Sequence, residues 1–446
     1  MENNGGRLLP NDSLVEEVVP PAKRPLCGRS KFVVSTARRE IHGGRRPSHC
    51  TELPLPPTLQ GFFYGDGVRD EEDQYLPCKN YGRFARLPGT TTTSVAVDPS
   101  LSFLRKSKTK LHRHIFLVDA CNGLLLLGHV PESYFWPEFA VCNPATQQWA
   151  AVPSCVDWVD DDVHTDPRNF TSQTHISLLF DPAISSHFQV LIFWNCHLFD
   201  DDREGTATVH AYSSETGVWR NSESDWSFVE RREPLELWRR QISLHRFILH
   251  GSPGAFVDGM VYLNLAWCQR ILQVDTEGKT RGMFPVPADK AYTSKKLLFV
   301  GQSQGRLHCV VEEGRHGHLL GHRMNRRYRK KWRSHGLFIW VLIGDIDRQE
   351  WVLKHKVSRR KLFWNWIVRN RDNGLDDDYR VVTMHPDCNM LFFDLQRGDD
   401  RSIISYDLDR KEVGLVETYK QDTTDKIIPF VPYLSELFLG VLGGHK

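Results

Sequence analysis

From about residue 112 onward the chain is written in short apolar runs of four to eight residues, rich in Val, Ile, Phe, Tyr and Trp. Gly, Asp, Asn, Ser and Pro punctuate them, and that pattern predicts many short strands. The runs are His114–Asp119, Gly123–Gly128, Phe139–Cys142, His175–Phe180, Phe188–Trp194, Ala207–Tyr212, Gly259–Leu265, Ile271–Asp275, Leu297–Val300, Leu307–Val311, Leu337–Ile343, Arg380–Met384, Met390–Asp394 and Ser402–Asp407. Helical periodicity is weak throughout this stretch, so the expectation is nearly all β.

One phrase recurs: an apolar strand, a turn holding Asp, Asn or Thr, then in most copies a bulky residue. It runs from Ala140 to Trp149 and again from His210 to Trp219. A weaker copy without the closing Trp spans Leu272–Thr280, and later copies span Val341–Trp351 and Ile404–Val413. Trp149 and Trp219 are 70 residues apart and Trp351 lies 132 further on, about twice 66, so one unit returns every 65 to 70 residues. In each copy an Asx or Thr side chain can cap the turn while the large residue packs between sheets. A sheet of a few strands cannot bury both faces alone, so such units stack around an axis. The predicted fold class is therefore all-β, a β-propeller of five or six blades. Propeller repeats usually run about 40 to 50 residues, so the connections here must be long or some blades escape the count. The segment Ile427–Leu439 is expected to supply a last strand that returns to the first blade and closes the ring.

Residues 1 to about 60 differ: they are rich in Pro, Arg and Gly and hold none of the 13 Trp, the first of which is Trp136. The first thirty residues lack the unbroken apolar core of a secretory signal, and no run approaches the ~20 apolar residues that span a bilayer. The expectation is a soluble intracellular protein of cytoplasm, nucleus or both, with no membrane partner. Ten Cys without a single CxxC pair resemble neither a disulfide framework nor a zinc ribbon, and are expected to be mostly buried thiols. Lys plus Arg total 57 against 55 Asp plus Glu, a net charge of +2, which argues against nucleic acid as the main partner.

Two stretches resemble a known family. His114–Leu127, with Cys121-Asn-Gly-Leu-Leu-Leu-Leu127, followed by Val141–Pro153, with Cys142-Asn-Pro-Ala-Thr-Gln-Gln-Trp149, is similar to the opening blade of the plant F-box-associated propeller. Leu55–Gly65 resembles the linker joining F-box to propeller in grass members. The resemblance implies an N-terminal F-box that docks on a Skp1-like adaptor of a cullin-RING ubiquitin ligase, and a propeller that holds an unknown protein substrate. Residues 9 to 27 look like an F-box opening, with Leu9, Pro10, Leu14, Val15, Val18 and Leu26 as the positions that would face Skp1. The following segment, Gly28–His42, departs from the family pattern and lacks its Trp. Leu14–Val19 gives fewer than two helical turns before Pro20-Pro21, too short a helix to stand without packing. The organisation expected is a degenerate or disordered helical F-box-like segment at 1–50, linker and first strands at 51–111, and propeller at 112–446. The function expected is that of a substrate-recognition adaptor of an SCF-type E3 ligase; the alternative is a propeller interaction protein without Skp1 binding.

Other motifs compete with simpler readings. Gly301-Gln-Ser303-Gln-Gly305 spells a nucleophile elbow, but strands stand on both sides where the elbow needs a helix after it, so a hairpin is expected. His316, His318 and His322 sit in a Gly-rich loop with no nearby Cys or carboxylate ligand after Glu313. The triplets at Asp160–Asp162, Asp200–Asp202 and Asp376–Asp378 lack the alternating oxygens of a calcium loop. Arg323–Arg333 has seven basic residues in eleven and reads either as a nuclear localisation signal or acidic-partner patch, or as a solvated loop. Trp158, Trp226 and Trp238 are interface candidates by residue type, on a binding face built from loops. No catalytic residue, metal ligand or cofactor site is assigned, and the protein is not expected to be an enzyme.

Overall fold

In the computed structural model, the residues described are 58–66, 80–88, 97–106, 115–129, 138–155, 174–194, 206–225, 254–265, 269–287, 294–315, 333–344, 350–359, 361–362, 379–397, 400–420 and 426–435. The chain divides into residues 1–55 and 56–446, and the fold below is that of the second unit. The expected F-box-like segment, with Leu9, Pro10, Leu14, Val15, Val18 and Leu26, lies outside the described residues.

In chain order the elements begin with β1 (Gly61–Asp66), β2 (Asn80–Arg86) and a short helix α1 (Ser102–Lys106). Blade 1 is β3 (Ile115–Cys121), β4 (Leu124–His129), β5 (Glu138–Asn143) and β6 (Gln148–Val152). Blade 2 is β7 (Thr174–Leu179), β8 (Gln189–Trp194), β9 (Thr206–Ser213) and β10 (Val218–Asp225). Blade 3 is β11 (Ala255–Val257), β12 (Met260–Leu265), β13 (Arg270–Asp275) and β14 (Thr280–Pro285). Blade 4 is β15 (Ser294–Ser303), β16 (Arg306–Arg315), β17 (Arg333–Ile343) and β18 (Glu350–Val357). Blade 5 is β19 (Tyr379–Met384), β20 (Met390–Arg397), β21 (Asp400–Asp407) and β22 (Glu412–Lys420), and the last strand is β23 (Ile427–Phe430).

Five sheets are four-stranded antiparallel meanders; the sixth is three-stranded in the order β2-β1-β23. The propeller thus has six blades, the upper of the two numbers the repeat allowed. Its sixth blade is made from both ends of the domain: β23 pairs antiparallel with β1, with Gly61 opposite Phe430 and Tyr64 opposite Ile427. Of the expected returning strand Ile427–Leu439, residues 427–430 form β23 and close the ring, but in a sixth blade beside β1 and not in blade 1. Pro429 sits within β23, and Pro is tolerated there because the strand pairs on one side only. Residues 51–111 contribute β1 and β2 to this closing blade.

The recurring phrase is the hairpin between third and fourth strands. Its five copies fall at β5–β6, β9–β10, β13–β14, β17–β18 and β21–β22, one in each four-stranded blade and none in the three-stranded one. Asx caps form as expected: Asn143 Oδ1 accepts from the Ala145 N–H at 3.0 Å, Asp275 Oδ1 from Glu277 at 2.9 Å, and Asp407 Oδ1 from Asp409 at 2.9 Å. The bulky residue that follows reaches back to the preceding blade. Trp219 of blade 2 packs on the cluster shared with blade 1 and donates its indole N–H to the Pro153 carbonyl at 2.7 Å. Trp149, Trp351 and Val413 pack likewise on the clusters shared with their own preceding blades.

Six apolar clusters, one per blade junction, form the core. The junction between blades 5 and 6 joins Val382, Phe392 and Ile403 to Phe62 and Tyr64. The next, between blades 6 and 1, joins Phe63 and Phe430 to Leu125 and Leu127, with Leu101, Phe103 and Leu104 around α1 packed in. A fully buried Phe or Leu contributes ~1.5–3 kcal/mol, so each seam is held by several such side chains. Around the axis β3 lies against β7, β11 against β15 and β15 against β19, with β23 between β19 and β3. In an antiparallel meander, first-to-second and third-to-fourth turns fall at one rim. Second-to-third and blade-to-blade connections leave from the other.

Candidate binding site on the propeller axis

A cavity of about 140 Å³ lies on the axis, walled by first strands from all six blades. Its mouth lies at the tight-turn rim, where Asn122 and Gln302 are exposed. Three first strands carry a β-bulge: register shifts occur between Leu117 and Asp119, between Leu297 and Phe299, and between Val381 and Thr383. A bulge adds one residue and re-aims the side chain after it. Asp119, Phe299 and Thr383, the three residues that follow the bulges, all line the cavity.

Asp119 is the only carboxylate among the cavity-lining residues. Its Oδ2 accepts the Leu178 N–H of blade 2 at 2.8 Å and its Oδ1 accepts the Ala120 N–H at 2.9 Å. Burial pushes its carboxyl up to about 6, against those two hydrogen bonds and the nearby Lys426 charge. Lys426 lies just before β23, and burial lowers its ammonium; it donates to the Val118 carbonyl. Among the described residues Asp119 has no contact ion pair. Cys121 on the same strand donates its thiol to the Phe180 carbonyl at 3.3 Å, and burial pushes it up to about 12, so it is an inert thiol rather than a nucleophile.

The rim beside the mouth is fixed by backbone geometry. Asn122 and Gly123 both have positive φ, 44° and 93°, as a two-residue type I′ hairpin requires. A side chain at Gly123 would meet Tyr433 and the Val431 carbonyl, because the chain after β23 runs across this turn. Asn143 Nδ2 then donates to the Tyr433 carbonyl at 2.8 Å, and the Tyr433 ring packs edge-on to Phe180 at 5.0 Å. The C-terminal segment is thereby strapped under blade 1.

Ser303 is no nucleophile. Gln304-Gly305 is the hairpin between β15 and β16, and the buried Ser303 hydroxyl donates to the His385 carbonyl at 2.6 Å. A Cys155–His210–Asn221 grouping fails on tautomer: Cys155 Sγ at 3.6 Å and Asn221 Oδ1 at 2.7 Å both face His210 Nδ1. One ring nitrogen cannot donate to Asn221 and also take a proton from the thiol. Five free cysteines occur among the described residues, three of them buried. No His/Cys/Asp/Glu group there is set to hold a metal, and no helix there is long and apolar enough to cross a membrane. Trp158, Trp226, Trp238, His316, His318, His322, the three Asp triplets and residues 323–332 lie outside the described residues. The axial cavity was not anticipated from sequence. A signal existed, since Asp119 is a lone acid in the apolar strand Ile-Phe-Leu-Val-Asp-Ala-Cys.

The class defined by this architecture is a six-bladed β-propeller closed by strands from both ends of the domain. Residues 89–250 match the family model described as "F-box protein At3g26010-like, beta-propeller". That stretch holds blades 1 and 2 and contains both phrases, Cys121–Leu127 and Cys142–Trp149, on which the resemblance rests. No curated protein matches the chain. Among solved structures, the chain is similar to a mutant of the GH43 protein BlXynB from Bacillus licheniformis, at 9% identity over 70% of this chain and 56% of that one, TM-score 0.33. It is similar to the β-propeller domain of the Trilobed protease from Pyrococcus furiosus, at 11% identity over 66% and 65%, TM-score 0.31. A nidogen/laminin complex follows at 10% identity over 83% and 98%, TM-score 0.32. The chain spans a little over half of the first of these structures and just under two thirds of the second. Likenesses this slight carry no argument about what the chain does.

Proposed function

We propose that this chain is a non-enzymatic, substrate-recognition adaptor of an SCF-type ubiquitin ligase, in which the propeller holds the target protein and residues 1–50 engage a Skp1-like subunit. The observation that carries the reading is the match of residues 89–250 to the propeller of F-box proteins. The fold suits such a role, because six apolar seams make a rigid ring, and a rigid ring is a scaffold on which loops can carry the contacts to a partner. An adaptor of this kind works by proximity, so it needs no nucleophile or cofactor of its own. The protein would work in the cytoplasm or nucleus, with residues 323–333 as a nuclear localisation signal.

Co-precipitation of the full chain with a Skp1-like subunit tests the adaptor role. Binding should fall at least tenfold when Leu14 and Val18 are both changed to Asp, because a short helix can dock only through its apolar face. Absence of binding by the unaltered chain, with a β-type circular dichroism spectrum intact, would leave instead an interaction propeller uncoupled from any ligase. The departure of Gly28–His42 from the F-box pattern favours that second outcome.

A further inference from the structure

We propose that the axial cavity is a recognition pocket for a lysine side chain of the protein that the propeller holds. The proposal rests on the protein-binding role above and adds to it the face, the pocket and the residue type. Three observations carry it. The cavity, of about 140 Å³, is comparable with the engineered void of about 150 Å³ that accommodates benzene, and so has room for an unbranched four-carbon stem. Its mouth at the tight-turn rim is reachable from solvent, with Asn122 and Gln302 exposed beside it. Its wall holds one carboxylate, Asp119, aimed inward by a bulge and without a contact cation among the described residues.

Lysine fits better than arginine. Asp119 Oδ2 already accepts the Leu178 N–H and Oδ1 the Ala120 N–H, so each oxygen has one acceptor site left, which suits a compact ammonium better than a rigid fork that needs a matched pair of sites. An ammonium is a compact charge with three rotatable donors, which Asp119, Gln302 and Thr383 oxygens can share. The stem would lie on Phe256 and Val261. A desolvated carboxylate without a contact cation is unfavourable in the empty propeller, and an incoming cation offsets that cost.

The charged and titratable groups around Asp119 are Lys426 ahead of β23, Cys121 on β3, Asp181 after β7, His175 bonded to Ser177 on β7, and Arg380 on β19, which acts on Lys426. Only ionised Asp119 attracts an ammonium, so binding should weaken as pH falls through about 6.

The test uses the full chain and n-butylammonium as the side-chain probe, followed by calorimetry or ligand-observed NMR. Binding at pH 7.5 should exceed that of n-butanol and of n-propylguanidinium by at least tenfold. It should weaken about tenfold at pH 5, where a group titrating near 6 is about one-tenth ionised. Asp119→Asn should abolish the preference for the cation over n-butanol. The peptide acetyl-Gly-Gly-Lys-Gly-Gly-amide should bind at least as tightly as n-butylammonium and should compete with it. Equal affinity for n-butanol, no binding of the amine, or a flat pH profile would overturn the pocket assignment, and the pH profile needs no variant to fold. Amine binding without peptide binding would overturn the claim that the lysine comes from a protein. Skp1 binding is read separately, so its loss with amine binding retained sinks the adaptor reading alone.

Discussion

Two carboxylates, Asp394 inside blade 5 and Asp119 on the axis, are provisioned in opposite ways. Asp394, 1% exposed, accepts from Tyr419 at 2.6 Å on Oδ1 and from Arg380 and Arg401 at 2.8 and 2.6 Å on Oδ2. The four residues come from β19, β20, β21 and β22 in turn, so one carboxylate ties every strand of the blade together. Asp119 receives two backbone N–H groups and, among the described residues, no contact cation, and burial lifts its carboxyl to about 6. Carboxylates that serve architecture are saturated with donors, because an unpaired buried charge costs more than it returns. One left short beside a cavity is placed for something that arrives later.

The largest effect that could break this contrast is Asp394→Ala. It leaves Arg401, 16% exposed, with its buried guanidinium facing no anion from Asp394, and a loss of about 3 kcal/mol is expected. Urea unfolding followed by fluorescence measures it; a loss below about 1 kcal/mol would mean that the row across blade 5 is ornamental. Tyr419→Phe should cost less, about 1–3 kcal/mol, because it removes a single charge-assisted hydrogen bond while the ring stays packed against Tyr64 at 5.2 Å. Burial and then the Asp394 charge both push the Tyr419 phenol upward, so it stays a donor at all ordinary pH and this loss should not vary between pH 5 and 8.

Much of this architecture is legible in the sequence, and the reason is burial. The named apolar runs became first, second and third strands; the second and third strands are the most fully covered, as Phe139–Asn143 is at every position, while the first strand β3 is half-buried at most of its positions. The fourth strands β6, β10, β14, β18 and β22 escape the eye since they are half-exposed; β18 reads Glu-Trp-Val-Leu-Lys-His-Lys-Val with burial alternating poorly. The closing blade is harder still. Nothing local in Gly61–Asp66 says that its partner lies some 360 residues away, and only the ring requires it. Asp119 was readable as an acid in an apolar strand, but its aim was not, because a bulge is one added residue whose presence depends on the neighbouring strand's register. The Skp1-facing positions rest on a family pattern alone and lie outside the described residues.

The smallest expected effect is the most discriminating. A carboxyl raised from 3.8 to about 6 in the folded state binds its proton more tightly there than in the unfolded chain. Its contribution to stability is therefore full below about pH 4 and is lost as pH rises through about 6. Asn cannot ionise, so Asp119→Asn should be free of that loss. At pH 4 the variant should be slightly less stable than the natural chain, since one amide cannot accept from both Leu178 and Ala120. By pH 7.5 the balance should have moved about 2 kcal/mol in its favour, leaving the variant about 1 kcal/mol more stable, as often follows when a functional group is removed. The Lys426 ammonium, which favours ionised Asp119, makes this gain smaller than burial alone would give. Paired denaturation curves at the two pH values decide the matter. A variant that is destabilised by the same amount at both would make Asp119 a second Asp394, an architectural carboxylate, and would remove the contrast on which the pocket's assignment depends.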